Sequence, residues 1–241
     1  MRKSPEAEEL RVSINDRDGV TARLYAAAKK NRAGLTVLLG HGAGANQTSP
    51  FMRLFASGLA DRGLDAMTFN FLYAEQGRGG PDPPPKLEAC YRAVIEAALK
   101  HKKLSGNRLV IGGKSMGGRI ASQVAAGDAN NSAPTGGRSS AQLAGLVFLG
   151  YPLHPPGKPE KMRDAHLKAI PRPMLFIQGS RDAFGLPEGL RAVIERDRLP
   201  ATLWVIDGGD HSFKVPKTSP VPQQQVYETA MDQIAHWSVA L

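Results

Sequence analysis

Three residues of this 241-residue chain are of the types that together activate an oxygen nucleophile. Ser115 lies in Leu109-Val110-Ile111-Gly112-Gly113-Lys114-Ser115-Met116-Gly117-Gly118-Arg119. Asp182 ends Phe176-Ile177-Gln178-Gly179-Ser180-Arg181-Asp182, and His211 lies in Gly208-Gly209-Asp210-His211-Ser212-Phe213. A serine hydroxyl is a poor nucleophile near neutral pH, so a general base must take its proton and a carboxylate must orient that base. Serine, acid and histidine follow one another here in the order of an architecture that carries its nucleophile in a Gly-x-Ser-x-Gly turn.

The same serine also completes Gly113-Lys114-Ser115, the end of a phosphate-binding loop. That loop needs a glycine five positions before Gly113, opening a stretch whose N–H groups surround phosphate. Arg108 stands there, and Leu109 to Ile111 are apolar strand formers that leave no room for such a cradle. The phosphate reading fails on spacing. Gly-x-Ser-x-Gly fits, because a sharp strand-to-helix turn tolerates no side chain two positions either side of the serine. Gly118 and Ala121 then allow the helix to approach the sheet.

Each partner has a plainer alternative. Asp182 could cap a helix beginning near Gly185-Leu186-Pro187, and His211 could be a surface turn histidine. Asp210 and Asp207 are rival acids, the first too close in sequence to turn onto the imidazole. His101, His166 and His236 read as solvated residues, and His154 as lining the site mouth or serving structure. A developing oxyanion requires backbone donors. The N–H of Met116, next after the nucleophile, is one candidate; the second comes from Gly40-His41-Gly42-Ala43-Gly44, with Ala43 first and Gly44 second. Lys114 reads as a partly exposed charge. Tyr73, Gln76 and Arg78 are expected either to face the pocket and orient a polar or anionic substrate, or to pin their own loop.

The elements that must position these residues follow from alternating apolar runs and helical patterns, which imply a mostly parallel sheet covered on both faces. Strands are expected at 8–15, 20–27, 35–39, 64–71, 109–111, 146–149, 174–177 and 203–206, with a hairpin turn at Asp16-Arg17-Asp18-Gly19. Helices are expected near 48–62, 85–102, 116–127, 186–197 and 222–240. Leu87, Tyr91, Val94, Ile95 and Leu99 form one stripe of the second helix. Residues 128–140, small and polar, read as a mobile loop. Residues 154–171 hold three prolines before Pro171, with one short helix at most, too little for a cap domain. Ser115, Asp182 and His211 each fall just beyond a predicted strand, where the loops of a parallel sheet gather.

The length and the 41% hydrophobic content suit a single domain over 1–241. No apolar run nears the roughly 20 residues that span a bilayer, and the charged MRKSPEAEEL stretch lacks the apolar core of a secretory signal. The lone Cys90 permits no internal disulfide, and it reads as a packed core residue. These features set a cytoplasmic expectation. A net charge of +9 comes from 31 basic and 22 acidic residues. The basic residues are scattered, with no arm, aromatic interleaving or zinc spacing, so no nucleic-acid partner is expected.

Over nearly its whole length the chain resembles the α/β-hydrolase superfamily, through LLGHGAG, FNFLYAEQGRGGPDPPP, IGGKSMGGR, LGYPLHPPGKPEK and MLFIQGSRD. It is most similar to the small, cap-less branch of dienelactone-hydrolase-like and testis-expressed hydrolase-like proteins. The resemblance implies an eight-stranded, mostly parallel sheet with helices on both faces and a Ser115–Asp182–His211 triad. Dienelactone hydrolases proper carry a cysteine where Ser115 stands. The expected activity is cleavage of a small-molecule carboxylic ester or thioester through an acyl-enzyme, with no metal or organic cofactor and no membrane partner. The alternatives are a non-catalytic interaction module, a reading kept open by a relative that is a subunit of a chromatin acetyltransferase complex, or an acyltransferase or perhydrolase using the same serine. The oligomeric state is not set by the sequence.

Overall fold

The computed structural model describes residues 7–130 and 142–241. Eight strands form one sheet: β1 Glu8–Ser13, β2 Gly19–Tyr25, β3 Leu35–Gly40, β4 Asp65–Phe69, β5 Arg108–Lys114, β6 Leu143–Leu149, β7 Met174–Gly179 and β8 Ala201–Ile206. Their spatial order is β1-β2-β4-β3-β5-β6-β7-β8. β1 and β2 pair antiparallel, as do β2 and β4. All pairings from β4 to β8 are parallel. Parallel strands need crossover helices, and these cover both faces.

The helices are α1 Pro50–Asp61, α2 Leu72–Glu75, α3 Pro84–Lys100, α4 Met116–Asn130, α5 Pro187–Asp197 and α6 Gln223–Val239. Alternate residues of each central strand feed two separate cores. Leu38, Ile111, Phe148 and Phe176 pack with Tyr91 and Val94 of α3 and Ile120 and Val124 of α4. Val37, Val110, Val147 and Leu175 pack on the other face with Phe55 and Leu59 of α1 and Ile234 of α6. This is why the strands read as continuous apolar runs: all of β3 and β7 is buried. Cys90 is fully buried in the α3–α4 core, as expected from the sequence, and burial pushes its thiol up to about 12.

Several boundaries differ from the expected ones for local reasons. The first strand stops at Ser13 because Asn15 Oδ1 accepts the N–H groups of Arg17 and Asp18, each at 2.9 Å, and closes the turn, and the second strand runs from Gly19 to Tyr25. The first helix starts at Pro50, whose fixed φ suits the first helical position. The strand expected to reach residue 71 ends at Phe69, and the four-residue α2, too short for a periodic signal, follows it. Asp128 continues α4 instead of opening a loop, and its carboxylate pairs with Arg92 of α3. Ala129 and Asn130 also belong to α4, and the remainder of the loop expected at 128–140, residues 131–140, lies outside the described residues. Within 154–171 there is one single-turn 3-10 segment, Leu167–Ala169, and no separate cap domain among the described residues. No described helix is long and apolar enough to cross a membrane.

Candidate active site

The turn from β5 into α4 places Ser115. Its amide extends the sheet, donating to Leu149 O at 3.1 Å, while its carbonyl accepts from Arg119 N at 3.1 Å and starts the helix. Serving both elements forces Ser115 to a φ of 51°, a left-handed conformation that L-residues avoid. Gly113 takes a φ of 149°. A Cβ on Gly113 would meet Gly40 O at 2.2 Å, and one on Gly117 would meet the same oxygen at 2.1 Å. Glycine at both positions therefore lets the elbow press against the end of β3.

Asp182 follows β7 and is fully buried. Its carboxylate accepts from Phe184 N at 2.8 Å and from Gln178 Nε2 at 2.9 Å. It does not cap the next helix, whose cap is Leu186. His211, in the loop after β8, brings Nδ1 to 2.8 and 2.9 Å from the two Asp182 oxygens. Its Nε2 lies 2.8 Å from Ser115 Oγ. A proton on Nδ1, facing the carboxylate, leaves Nε2 free to accept from the serine. Asp210, the rival acid, spends Oδ1 on its own turn, accepting from Ser212 N and Lys214 N at 2.7 and 2.9 Å. Asp207 is exposed. The Phe184 ring stacks on the imidazole at 4.1 Å and 27°.

The loop after β3 is held by His41, which is wholly buried. Its Nε2 accepts from Phe71 N at 3.1 Å, so Nδ1 carries the proton and donates to Gly42 O at 2.8 Å. Burial, opposed by the bond to Gly42, pushes its pKa down to about 4. The Gly42 carbonyl also accepts from Ala45 N at 3.2 Å. A trans peptide sets its N–H opposite to its C=O, so the Ala43 N–H leaves on the side away from His41. Met116 opens α4, where an N–H has no intrahelical acceptor.

A cavity of about 540 Å³ opens over these groups. Gly42 and Ala43 line it beside Ser115 and His211, and Pro50, Phe51, Met52, Leu54, Phe184 and Tyr227 supply an apolar wall. Lys114 also lines it, contrary to its reading as a partly exposed charge: it is 9% exposed, and Nζ donates to His211 O at 2.5 Å. Burial pushes this amine down to about 8. Tyr73, Gln76 and Arg78 do not line the cavity. Tyr73 is buried behind His41, with ring centroids 5.8 Å apart. Arg78 pairs with Asp82 at 2.7 Å and with Gln76 at 2.9 Å, so these residues pin their loop.

Two histidines expected in solvent are not there. His101 is largely covered and lies 3.4 Å from Glu8. His166 Nε2 lies 2.7 Å from Ser122 Oγ. That second serine–histidine contact is a packing feature of α4: Ser122 is fully buried and its hydroxyl donates to Arg119 O at 2.7 Å. His154 contacts Pro155 O at 2.9 Å and does not line the cavity, whereas His236 is exposed as expected. Sequence reasoning passed over Gln178, His41 and Phe184. A glutamine inside the apolar run Met174-Leu175-Phe176-Ile177-Gln178 is itself a signal, since a buried amide requires partners. Nothing comparable marks Phe184. Among the described residues no group of three or more His, Cys, Asp or Glu is placed to hold a metal.

Solved structures share this architecture across almost the entire chain. An α/β serine hydrolase homologue from Coxiella burnetii is similar at a TM-score of 0.68 and 16% identity, covering 100% of this chain and 98% of its own. Dienelactone hydrolase from Anabaena variabilis gives 0.69 and 18%, over 97% and 99%. A lid-less α/β serine hydrolase from Xanthomonas campestris gives 0.68 and 16%, over 97% and 95%. At such identities the likeness is one of fold. Residues 33–239 match the family described as the alpha/beta hydrolase domain, and with that match spanning most of its length the chain belongs to the α/β-hydrolase family.

Proposed function

We propose that the protein is a serine hydrolase that cleaves a small-molecule carboxylic ester or thioester, with Ser115 as nucleophile, His211 as general base and Asp182 as its orienting acid. The observation that carries this reading is the unbroken relay of contacts, 2.8 Å from Ser115 to His211 and 2.8 Å from His211 to Asp182, opening into a cavity. Nothing in folding requires three polar residues from three strand ends to meet in this way.

His211 Nε2 takes the Ser115 proton as Oγ attacks the substrate carbonyl. Asp182 stabilises the resulting imidazolium without taking the proton itself. The N–H groups of Met116 and Ala43 receive the oxyanion, each worth about 3–4 kcal/mol to the transition state. Collapse of the adduct expels the alkoxide or thiolate, which leaves with the proton from His211. Water then attacks the acyl-Ser115 ester, giving its proton to His211, and the carboxylic acid departs as Ser115 is regenerated. No metal or organic cofactor enters any step. The reading takes the protein as one cytoplasmic domain with no nucleic-acid partner.

A fluorophosphonate probe tests it. Wild type is labelled, and Ser115→Ala is not, while both melt alike. Hydrolysis of p-nitrophenyl esters falls by about 10⁴-fold or more in the variant. Folded wild type that takes no label would instead indicate an interaction module.

A further inference from the structure

A buried ammonium is expensive unless an anion sits against it. Lys114, beside the nucleophile, is almost fully covered, yet no described carboxylate lies within ion-pair distance of Nζ. Its contacts are the neutral His211 carbonyl at 2.5 Å and the rings of Phe51 and Phe213, with centroids at 5.8 and 5.9 Å. Asp182 and Asp210 favour the charge from beyond ion-pair distance, while their own bonds go elsewhere: Asp182 to His211, Gln178 and Phe184, and Oδ1 of Asp210 to its own turn. The cavity it lines contains a second cation, the exposed Lys214, and no aspartate or glutamate among its lining residues.

One hydrogen of the ammonium is taken by the His211 carbonyl, and an ammonium has three. A methionine of similar length would fill the same space between two phenyl rings without the desolvation cost. The charge therefore has no anion in direct contact, and its residue lines a cavity with a largely apolar wall that also holds Ser115.

We infer that the substrate supplies an anion in direct contact: the protein selects esters or thioesters bearing a carboxylate close to the scissile carbonyl, with Lys114 as the residue that recognises it. This rests on the hydrolase reading above and narrows it to a substrate class. The carboxylate gives Lys114 its counter-charge, and the apolar wall accommodates the rest of the molecule. No bond to Lys114 forms or breaks, so the residue determines specificity without entering the chemistry.

Two matched ester pairs at pH 7 test the inference and locate the anion. Mono-p-nitrophenyl succinate against p-nitrophenyl butyrate places a carboxylate on the acyl side. 4-Acetoxybenzoate against its methyl ester places it on the leaving group. In at least one pair the carboxylate substrate is favoured at least about tenfold in kcat/KM. Lys114→Met brings that ratio to about one, and Lys114→Arg keeps most of it. Labelling by an uncharged fluorophosphonate verifies that each variant retains a formed site. Should Lys114→Met not fold, wild type alone decides, since monomethyl glutarate then protects Ser115 from the probe at lower concentration than dimethyl glutarate. Equal rates within both pairs, a preference that survives Lys114→Met, or equal protection by the two glutarates would overturn the inference while leaving the hydrolase standing. Absence of both labelling and turnover would instead remove the catalytic reading beneath it.

Discussion

The side-chain amide of Gln178 donates to Asp182 Oδ2 at 2.9 Å, on the same oxygen that His211 Nδ1 approaches at 2.8 Å. The glutamine lies four residues upstream, in β7, and is fully buried. Its Nε2 also donates to Gly185 O at 2.8 Å, and its Oε1 accepts from Tyr151 N at 2.8 Å. One side chain thus ties the acid to the chain leaving β6 and to the turn after β7.

Replacing Gln178 by leucine keeps the bulk, leaves Tyr151 N and Gly185 O without this partner, and leaves Asp182 Oδ2 to His211 alone. Each buried group left unpaired costs about 1–3 kcal/mol, so Gln178→Leu lowers the urea midpoint clearly. In the proposed mechanism the freed carboxylate also loses its fixed orientation, and kcat drops by roughly tenfold or more with KM little changed. Stability and ester kinetics measured on the same preparation check both parts. A stable variant with wild-type kcat would show that His211 and Phe184 N alone hold the acid.

At the elbow the expected cost is steric. A Cβ on Gly117 would lie 2.1 Å from Gly40 O, a backbone atom in the middle of the sheet that cannot yield. Gly117→Ala should cost about 3 kcal/mol or more, beyond the usual range for a point change, and should reduce fluorophosphonate labelling as β3 and the elbow separate. Gly79→Ala is the matched control. Its Cβ would meet nothing within 4 Å, and its stability should stay within about 0.5 kcal/mol of wild type. Thermal melts of the two variants side by side give the comparison.

Most of this arrangement was legible in the amino-acid sequence because it is written in local chemistry. The strands announce themselves through buried runs such as Leu35-Thr36-Val37-Leu38-Leu39, and the elbow through glycines whose spacing is a steric demand. Strand-end placement then brings Ser115, Asp182 and His211 to one edge of a parallel sheet. What stayed hidden depends on how loops fold back. Arg78 reads equally well as a substrate ligand or a loop pin, until Asp82 is found buried beneath it at 2.7 Å. His166 looks like a solvated residue of a polar segment, because only the tertiary fold brings Ser122 to it. Lys114 reads as a partly exposed charge because the burial of its long stem and terminal amine depends on Phe51 from α1 and Phe213 from the His211 loop.

Two buried histidines make stability depend on acid. Burial holds both His41 and His166 at about 4, with Arg119 adding to the effect at His166. In the unfolded chain each titrates near 6.5. Between those values the unfolded state binds protons that the folded state refuses, so stability falls as pH drops from about 6.5 to about 4. Replacing His166 by glutamine removes one of these protons. The melting temperature of His166→Gln should therefore decline less steeply than that of wild type over that interval, whatever its value at pH 7. Parallel slopes would place the His166 titration outside the interval.

Lys114 acts with the same sign on stability, in an alkaline window. Burial holds its amine at about 8, against an ordinary value of 10.5. Below about 8 the folded protein carries the buried charge, and the anion preference inferred above is present in full. As pH rises through about 8 the ammonium becomes a neutral amine, and the advantage of the carboxylate ester over its neutral partner falls toward one. Stability moves the other way. From about 8 to about 10.5 the unfolded chain keeps a proton that the folded chain has released, so this group makes stability rise with pH across that window. Lys114→Met lacks both effects. Its stability curve should sit closer to, or above, that of wild type at pH 7, where wild type still bears the cost of a desolvated cation. The two measurements share one titrating group, so the fall in substrate preference and the lysine-dependent rise in melting temperature must begin at the same pH. Onsets that differ by much more than a pH unit would mean that another group controls substrate choice.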